Sequence, residues 1–181
     1  MNVLQLAAQL EEVDLTGKDV QRVAGGRFPV PVVLYSDLAR YSTIDELLSG
    51  PSGAVILLWQ TVGKRTGHWT TLFRSLDALH YFDSYGFAPD VDKHKASFDT
   101  SLPPYLSRLL ATVPGGYTHN TFDFQTEGPN VNTCGRWVGA RLRTRYLFTA
   151  AQFQALFSGG MALGKDVLVA LLTLLLTLTP S

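Results

Sequence analysis

The spacing of hydrophobic positions changes several times along the chain, and each change predicts a different element. Over residues 1–20 the apolar side chains recur at helical spacing. Three strand-like segments follow, at residues 54–60, 68–74 and 79–83. The first is a continuous apolar run, which is typical of a central strand buried on both faces. Because the connections between the three segments are short and polar, we predict an antiparallel meander.

Further helices are predicted where a capping residue or a proline precedes an apolar repeat. The segment from Gly25 to Tyr41 is rich in glycine and proline and reads as a loop that enters a short extended piece. A second loop is expected from Tyr85 onwards. The predicted helices cover residues 42–50, 102–113, 149–157 and 164–176, and one more strand is predicted over residues 117–125.

Together these elements predict an α+β protein, with helices packed on a small central mixed or antiparallel sheet. No internal repeat, low-complexity tract or linker interrupts the pattern, so we expect one domain over residues 1–181. Its N-terminal helical and loop region covers residues 1–50, its core residues 54–147, and its C-terminal helices residues 148–181. A domain of about 150 residues buries roughly 70% of its unfolded surface, so the chain can build a sizeable core.

Composition narrows the functional classes. The chain is 46% hydrophobic and 17% charged, which excludes a disordered protein. Fifteen basic residues balance fifteen acidic ones, so net charge gives no general argument for binding nucleic acid or a membrane surface. A single cysteine excludes an internal disulfide, disfavours a cysteine-based zinc site and suits a reducing compartment. The N-terminus acquires acidic residues early, so we expect no signal peptide.

The C-terminal segment is strongly apolar between Asp166 and Pro180. A bilayer-spanning helix needs roughly 17–25 such residues, and this run is shorter. We therefore predict a buried terminal helix, with a membrane anchor as the alternative.

The only cysteine, Cys134, lies in the stretch NTCGRWVGARLR. A free cysteine is usually a buried core residue. Here, however, Asn132 or Thr133 can cap a helix whose first turn holds the thiol, and apolar residues four and eight positions later continue its face. The positive end of a helix dipole favours a reactive thiolate. Gly135 would let a substrate backbone approach closely.

A nucleophilic cysteine needs a base, and the base needs an orienting group. His68 begins one predicted strand and Asp83 ends the next, so a hairpin would make them neighbours. Taken alone, His68 would be a strand-end histidine and Asp83 a turn cap. Gln125, shortly before Cys134, could donate its amide N–H to an oxyanion, together with backbone N–H groups of the helix start. The other histidines, His80, His94 and His119, show no metal-ligand spacing, so no metal is expected.

In order, the motifs GHW, FDSYG, FQ and NTCGRW resemble those of the adenain-like and SUMO-protease-like cysteine peptidases of clan CE. Within that group the chain is most similar to viral members from adenoviruses, virophages and related double-stranded DNA viruses. EGPNVNTCG looks like the Gln-Gly-Pro-Asn stretch before the adenoviral nucleophile. The matching region covers about residues 54–147, and papain-like enzymes do not fit because their cysteine precedes the histidine.

This resemblance implies a thiol endopeptidase with the nucleophile at the start of a buried helix. Its expected substrates are viral capsid or core precursors, cleaved during virion maturation at Gly-Gly-type sites, in the virion and the host-cell interior. The resemblance makes His68 the general base, Asp83 its orienter, Gln125 the oxyanion donor and Cys134 the nucleophile. Trp69 would pack beside the histidine and, with Gly135, bind substrate in a narrow cleft. No cofactor is expected.

Two departures from the family pattern affect this interpretation. The adenoviral glutamine aligns with Glu127, which has no N–H to donate when ionised, so the oxyanion role is assigned to Gln125. Some adenoviral members use a disulfide-linked peptide and DNA as cofactors. With no second cysteine, this chain cannot use its one cysteine for both catalysis and a disulfide to such a peptide. The neutral net charge gives little support for a DNA cofactor. The basic residues concentrate at Arg136, Arg141, Arg143 and Arg145, which we expect to form a solvated helix face, a polyanion contact being the alternative.

Glycine doublets occur at Gly25-Gly26, Gly115-Gly116 and Gly159-Gly160. RVAGGRF resembles a cleavage site of the family, and self-cleavage after Gly26 would leave a fragment that starts at Arg27. A structural loop is the favoured interpretation of this doublet. Two alternatives to a maturation protease remain: a protease that removes ubiquitin-like modifiers, and a catalytically silent capsid-associated protein with the same fold.

Overall fold

A five-stranded mixed sheet forms the centre of the protein. The computed structural model describes residues 3–62, 67–75, 78–91, 99, 101–128, 131–159 and 163–178. The strands are Val32–Leu34 (β1), Ala54–Gln60 (β2), Gly67–Ser75 (β3), Ala78–Asp83 (β4) and Thr118–His119 (β5), side by side in that order. The two outer pairs are parallel, and the two inner pairs are antiparallel. The α+β class and the predicted meander are therefore confirmed.

Helices cover both faces of this sheet. They are Val3–Glu11 (α1), Gly17–Ala24 (α2), the 3-10 helix Tyr35–Arg40, Ile44–Leu47 (α3), Tyr105–Leu110 (α4), Cys134–Arg143 (α5), Ala150–Ser158 (α6) and Lys165–Leu178 (α7). One core joins the sheet to α2, α5, α6 and α7, and the other joins it to the 3-10 helix, α3 and α4. Strand β2 alternates between them, so its side chains are buried on both faces, as predicted.

Helix α5 crosses the first face as a central, buried element. Its Trp137 is fully buried, with its ring 5.3 Å from that of Phe124 and 4.7 Å from that of Phe157. Helix α2 packs so closely on α5 that a Cβ added at Gly139 would lie 2.5 Å from Val23 Cγ1. The start of α5 is therefore held between the sheet and neighbouring helices.

The N-terminal helical pattern belongs to two helices rather than one. Helix α1 ends at Glu11, and α2 begins after Thr16. Thr16 and Asp19 form a capping box, in which each side chain bonds the other residue's backbone N–H. The capping box gives α2 its own start. Helix α3 likewise begins after Thr43, whose hydroxyl accepts from the Glu46 N–H, within the segment 42–50 that was predicted to be helical.

The strand predicted over residues 117–125 is largely wrong. Only Thr118–His119 pairs with β4, and the following residues form a loop. This loop is fixed by other bonds: the Asn120 amide donates to Asp83 O at 2.6 Å, and the N–H groups of Phe124 and Gln125 both donate to Ser84 O. The chain satisfies its polar groups against the end of β4 without continuing the sheet.

The basic residues of α5 do not form a solvated face, so this expectation is wrong. Because α5 lies inside the protein, its Arg136 and Arg141 are buried and only its Arg143 is partly exposed. Arg145, two residues after the end of α5, is buried as well. The Arg136 guanidinium bonds a carbonyl of α1 and a hydroxyl of α7. The Arg141 guanidinium lies 4.9 Å from the Phe73 ring centroid, and its burial lowers the pKa of Arg141 to about 10.

The apolar C-terminal segment forms α7, as predicted. Helix α7 packs on α1 and α5, and its Val169, Ala170 and Thr173 are buried. Within the described ranges, no helix combines the length and apolar character needed to cross a membrane.

Some sequence predictions concern residues outside the described ranges. These are the middle of the connection between β2 and β3, His94, the second glycine of the Gly159-Gly160 doublet, and the proline and asparagine of EGPN.

Candidate active site

The β3–β4 hairpin brings His68 and Asp83 together as the sequence predicts. Thr70 lies opposite Asp83 in the antiparallel register, and His68 is two residues earlier on the same face of β3. Its Nε2 lies 3.0 Å from Asp83 Oδ2. His68 is 7% exposed and Asp83 is 0% exposed, so the pair is removed from solvent.

The Asp83 carboxylate is held by its surroundings. Its Oδ1 accepts the Tyr85 N–H at 2.7 Å, and the Tyr81 hydroxyl donates to Oδ2 at 3.5 Å. Its own backbone N–H donates to Asn120 Oδ1 at 3.0 Å. One oxygen therefore anchors the carboxylate to its own turn while the other faces His68.

Cys134 approaches the same histidine from the sheet's other side. It is the first residue of α5, is partly exposed, and shares a side-chain hydrogen bond with His68. Since the carboxylate accepts the Nε2 proton, Nδ1 is the ring nitrogen left to face the thiol. The imidazole ring thus lies between the Asp83 carboxylate and the Cys134 thiol.

The electrostatics of the site favour a charged imidazole. Burial alone would lower the pKa of His68. The charge and hydrogen bond of Asp83 act in the opposite direction, and the interactions with Cys134 add to them. Their sum raises the pKa of His68 well above its ordinary value of 6.5. An imidazolium is the form that stabilises a neighbouring thiolate.

Gln125 is buried next to this group. Ser84 Oγ donates to its Oε1 at 2.8 Å, and its Nε2 donates to Val131 O at 2.9 Å. These bonds fix the amide between the residue after Asp83 and the segment that leads into Cys134. The second Nε2 hydrogen meets no acceptor among the described residues and is available to an incoming oxygen. Glu127, the alternative for this role, is exposed.

Thr133, one of the two residues predicted to cap α5, occupies the N-cap position. Its hydroxyl, however, makes no capping hydrogen bond. It donates instead to Asp166 Oδ1. Asn132, the other predicted cap, donates through its side chain to Glu12 O at 3.0 Å. The sequence could not indicate this, because Asp166 and Glu12 are remote from α5 along the chain.

Asp166 organises the start of α5. Its Oδ1 accepts the Trp137 indole N–H at 3.0 Å as well as the Thr133 hydroxyl, and its Oδ2 accepts the Thr126 N–H at 2.9 Å. Asp166 is only 4% exposed. A single carboxylate in the first turn of α7 therefore ties the helix start to the loop that carries Gln125.

The backbone N–H groups at the start of α5 differ in whether they are bonded. Those of Arg136 and Trp137 donate to Thr133 O. The Cys134 N–H bonds to none of the acceptors that the described residues offer. An N–H at this place can donate to an oxygen bound beside the thiol.

A small cleft opens beside the thiol. It has a volume of about 210 Å³ and is lined by Asp14, Leu15, Thr16, Gly17, Leu58, Gly67, Trp69, Asn132 and Cys134. Trp69 follows His68 on β3, so its ring lies on the opposite face, where Nε1 donates to Leu15 O at 3.1 Å. The ring therefore forms a wall of the cleft on the Cys134 side.

Packing around the start of α5 requires a glycine at position 135. A Cβ at this position would lie 2.9 Å from Val20 Cγ2 and 3.1 Å from Trp69 Cδ1. The missing side chain is thus required for α2 and β3 to pack against the start of α5. Its contact with substrate stays a prediction.

Tyr85 is a member of the site that sequence reasoning missed. Its ring centroid lies 5.1 Å from that of His68, and burial, followed by the charges of Cys134 and Glu127, raises its pKa. The motif FDSYG contained Tyr85, and a turn that folds back on its own aspartate would have indicated it. The sequence around Asp166 contains no comparable indication that this residue contacts the site.

The doublet Gly25-Gly26 forms a turn, in agreement with the favoured interpretation. Gly25 has φ +55° and Gly26 has φ +98°, a region that glycine adopts readily. The two residues before the doublet, Val23 and Ala24, are buried.

The described residues define an α+β protein with one cysteine paired to a buried histidine–aspartate couple. Within them, no group of three or more histidine, cysteine or acidic side chains is arranged to hold a metal. No protein-family profile matches the sequence. The chain is 36% identical over 143 residues to Uncharacterized protein V9 of Sputnik virophage, an alignment that covers 76% of this chain and 79% of that protein. The chain belongs to the family of that virophage protein, and this relationship supports a viral origin.

Proposed function

We propose that the protein is a cysteine peptidase. The observation that carries this proposal is the position of His68, which bonds buried Asp83 through Nε2 and shares a side-chain hydrogen bond with Cys134. A structural thiol needs neither a buried carboxylate–imidazole pair nor a cleft beside it. Here a cleft opens next to the sulfur.

In the proposed reaction the Cys134 thiolate attacks the scissile carbonyl carbon, and the π electrons of the C=O bond move to its oxygen. The Cys134 N–H and the second Gln125 amide hydrogen donate to this oxyanion. When the C=O bond re-forms, the C–N bond breaks. His68 gives its Nδ1 proton to the leaving amine nitrogen.

Water completes the turnover. His68 Nδ1 takes a proton from water while the water oxygen attacks the thioester carbon, and the C–S bond then breaks. The acid product leaves, and the thiolate returns beside the imidazolium. Throughout, Asp83 keeps the Nε2–H oriented and stabilises the charged ring.

The proposed biological role is cleavage of viral structural precursors during virion maturation, at Gly-Gly-type sites. Two features support it: the family relationship to a virophage protein, and a cleft narrowed by the Trp69 ring. A large side chain next to the cleaved bond would meet this ring, whereas glycine would not.

The test is covalent labelling with a peptide vinyl sulfone that ends in Gly-Gly, followed by intact-mass and peptide analysis. We expect one adduct, on Cys134, in the folded protein. His68→Gln should abolish rapid labelling, whereas the matched control His119→Ala, at an exposed residue, should not change it. Labelling of Cys134 only after denaturation would refute the proposal and would favour a catalytically silent protein.

Substrate tests then separate the two protease roles. The enzyme is incubated with a Gly-Gly-containing capsid precursor and, separately, with a ubiquitin-like precursor. Cleavage of the capsid precursor alone supports maturation, and cleavage of the ubiquitin-like precursor alone overturns it in favour of deconjugation.

A further inference from the structure

A second, larger pocket lies at the opposite end of α5 from Cys134. We call it the arginine pocket; it has a volume of about 960 Å³ and is lined by Ala24, Gly26, Arg27, Phe28, Pro51, Ser52, Arg143, Arg145 and Tyr146. It shares no lining residue with the cleft beside the thiol. Arg143 lies nine positions after Cys134, which places the two ends about 14 Å apart at 1.5 Å per residue.

The charge of this pocket is uncompensated. Among the described residues, its lining contains three arginines and no acidic residue. In the described parts of the chain, Arg22, Arg40 and Arg74 pair with aspartates, but the arginines of the pocket do not.

The excess positive charge is energetically unfavourable above all at Arg145, because this residue is buried. It is 8% exposed, and its bonds go to the uncharged carbonyls of Leu142 and Ser52. Its Nε–H is buried and meets no acceptor in the described structure. A cation held out of water in this way is stabilised by a nearby anion.

The side chain of Arg143 occupies the space that is left by the missing side chain of Gly25. A Cβ on Gly25 would lie 1.6 Å from a guanidinium nitrogen of Arg143, so the side chain lies directly over this residue. Any larger residue at position 25 would displace it. Gly26 therefore lines the pocket directly, and Gly25 before it leaves the space that Arg143 occupies.

Two exposed aromatic side chains complete the pocket. Phe28 is 40% exposed and Tyr146 is 66% exposed. The Arg27 guanidinium lies 5.3 Å from the Phe28 ring centroid, and that of Arg145 lies 4.5 Å from the Tyr146 centroid. Guanidinium groups bind phosphate oxygens through paired N–H bonds, and aromatic rings stack on planar bases.

We propose that the arginine pocket binds a phosphate-bearing ligand with a planar ring, of which a nucleotide is the simplest example. The arginines would hold the phosphate, and Phe28 or Tyr146 would stack on the ring. A pocket of this volume lies within the range that accommodates such ligands. The proposal is independent of the chemistry at Cys134.

The test is calorimetric titration of the full chain with inorganic phosphate, adenosine monophosphate and a short single-stranded oligodeoxynucleotide. We expect the mononucleotide to bind more tightly than phosphate alone, because its ring adds stacking. If the oligonucleotide binds more tightly still, with affinity falling steeply as salt rises, the natural source is a nucleic acid. If it binds no more tightly than the mononucleotide, the source is a free nucleotide.

Variants assign the binding to this pocket. Arg27→Gln and Arg143→Gln should each weaken binding about tenfold or more, and Phe28→Ala should remove the advantage of the mononucleotide over phosphate. Arg22→Gln is the matched control, since it removes the same charge at an exposed position outside the pocket. Absence of binding by all three ligands at millimolar concentration would overturn the proposal. Equal losses in Arg22→Gln and Arg143→Gln would also overturn it.

Discussion

His68 Nε2 lies 3.0 Å from Asp83 Oδ2, in a pair from which solvent is almost completely excluded. Adjacent strands set this distance, because the register of β3 against β4 fixes both backbones. The two side chains therefore project from paired strands, and their approach does not depend on a loop.

Replacing Asp83 tests the electrostatics of the pair. In Asp83→Asn, an amide replaces the carboxylate whose charge and hydrogen bond, together with the interactions of Cys134, outweigh the effect of burial on the pKa of His68. We expect kcat to fall by about 10²–10⁴-fold on a Gly-Gly peptide substrate. The alkaline limb of kcat/KM, where His68 loses its proton, should lie well above pH 6.5 in the wild type and move to lower pH in the variant. Asp37→Asn, at a surface ion pair, is the control. An unchanged pH profile in Asp83→Asn would contradict this assignment.

Asp166 is expected to act as a positioning residue for the nucleophile. Asp166→Ala leaves the Thr133 hydroxyl, the Trp137 indole and the Thr126 N–H without their acceptor. We expect the free energy of unfolding to fall by about 3 kcal/mol in urea titrations, and the rate of Cys134 acylation to fall while KM changes little.

Thr133→Val separates these two effects, since it removes only one of the three bonds. It should lower the acylation rate by less than Asp166→Ala and leave most of the stability in place. Wild-type acylation by folded Asp166→Ala would show that this carboxylate has only a structural role.

Glu11 should make the protein less stable at high pH. Burial, with the charges of Asp166 and Glu12, raises the pKa of Glu11 above its ordinary value of 4.5. The folded protein therefore binds this proton more tightly than the unfolded chain, and its stability falls as pH rises from 4.5 through the folded-state pKa.

Glutamine mimics the neutral form, so Glu11→Gln should raise the melting temperature at pH 8 and change it little at pH 4. Glu12→Gln, which removes only the neighbouring charge, should give a smaller rise. Calorimetric scans at the two pH values measure this difference. A lower melting temperature for Glu11→Gln at pH 8 would show that the ionised carboxylate is favourable.

The close approach of α2 and α5 predicts a strong effect at Gly139. Alanine in a helix interior normally gains about 1 kcal/mol over glycine. Here its Cβ would lie 2.5 Å from Val23 Cγ1, so we expect Gly139→Ala to lower the free energy of unfolding by about 1–3 kcal/mol instead.

The double variant Gly139→Ala/Val23→Ala should recover part of this loss, because the shorter side chain at position 23 makes room for the new methyl group. A double-mutant cycle in urea measures the coupling between the two positions. If the two effects simply add, the contact between α2 and α5 does not limit the size of residue 139.

The sequence predicted the parts of the site that depend on neighbouring segments. Strand-like composition located β3 and β4, and their short connection indicated an antiparallel pair, so the approach of His68 to Asp83 followed. The helix that begins at Cys134 was also predictable, because its apolar face repeats at helical spacing.

The sequence did not predict features that depend on remote contacts. The segment before Gln125 has the composition of a strand, but its polar groups bond to Asp83 and Ser84, which local propensity cannot reveal. The arginines of α5 resembled a solvated face because charge usually marks a surface. Their burial depends on carbonyls and aromatic rings supplied by other elements.

Asp166 follows Cys134 in the sequence, although it holds the helix that Cys134 begins. During synthesis, Cys134 and the helix that it begins are therefore made before the carboxylate that anchors them. A chain that stops before α7 would carry Cys134 on an unsecured helix, so the chemistry proposed for this thiol would require a finished copy.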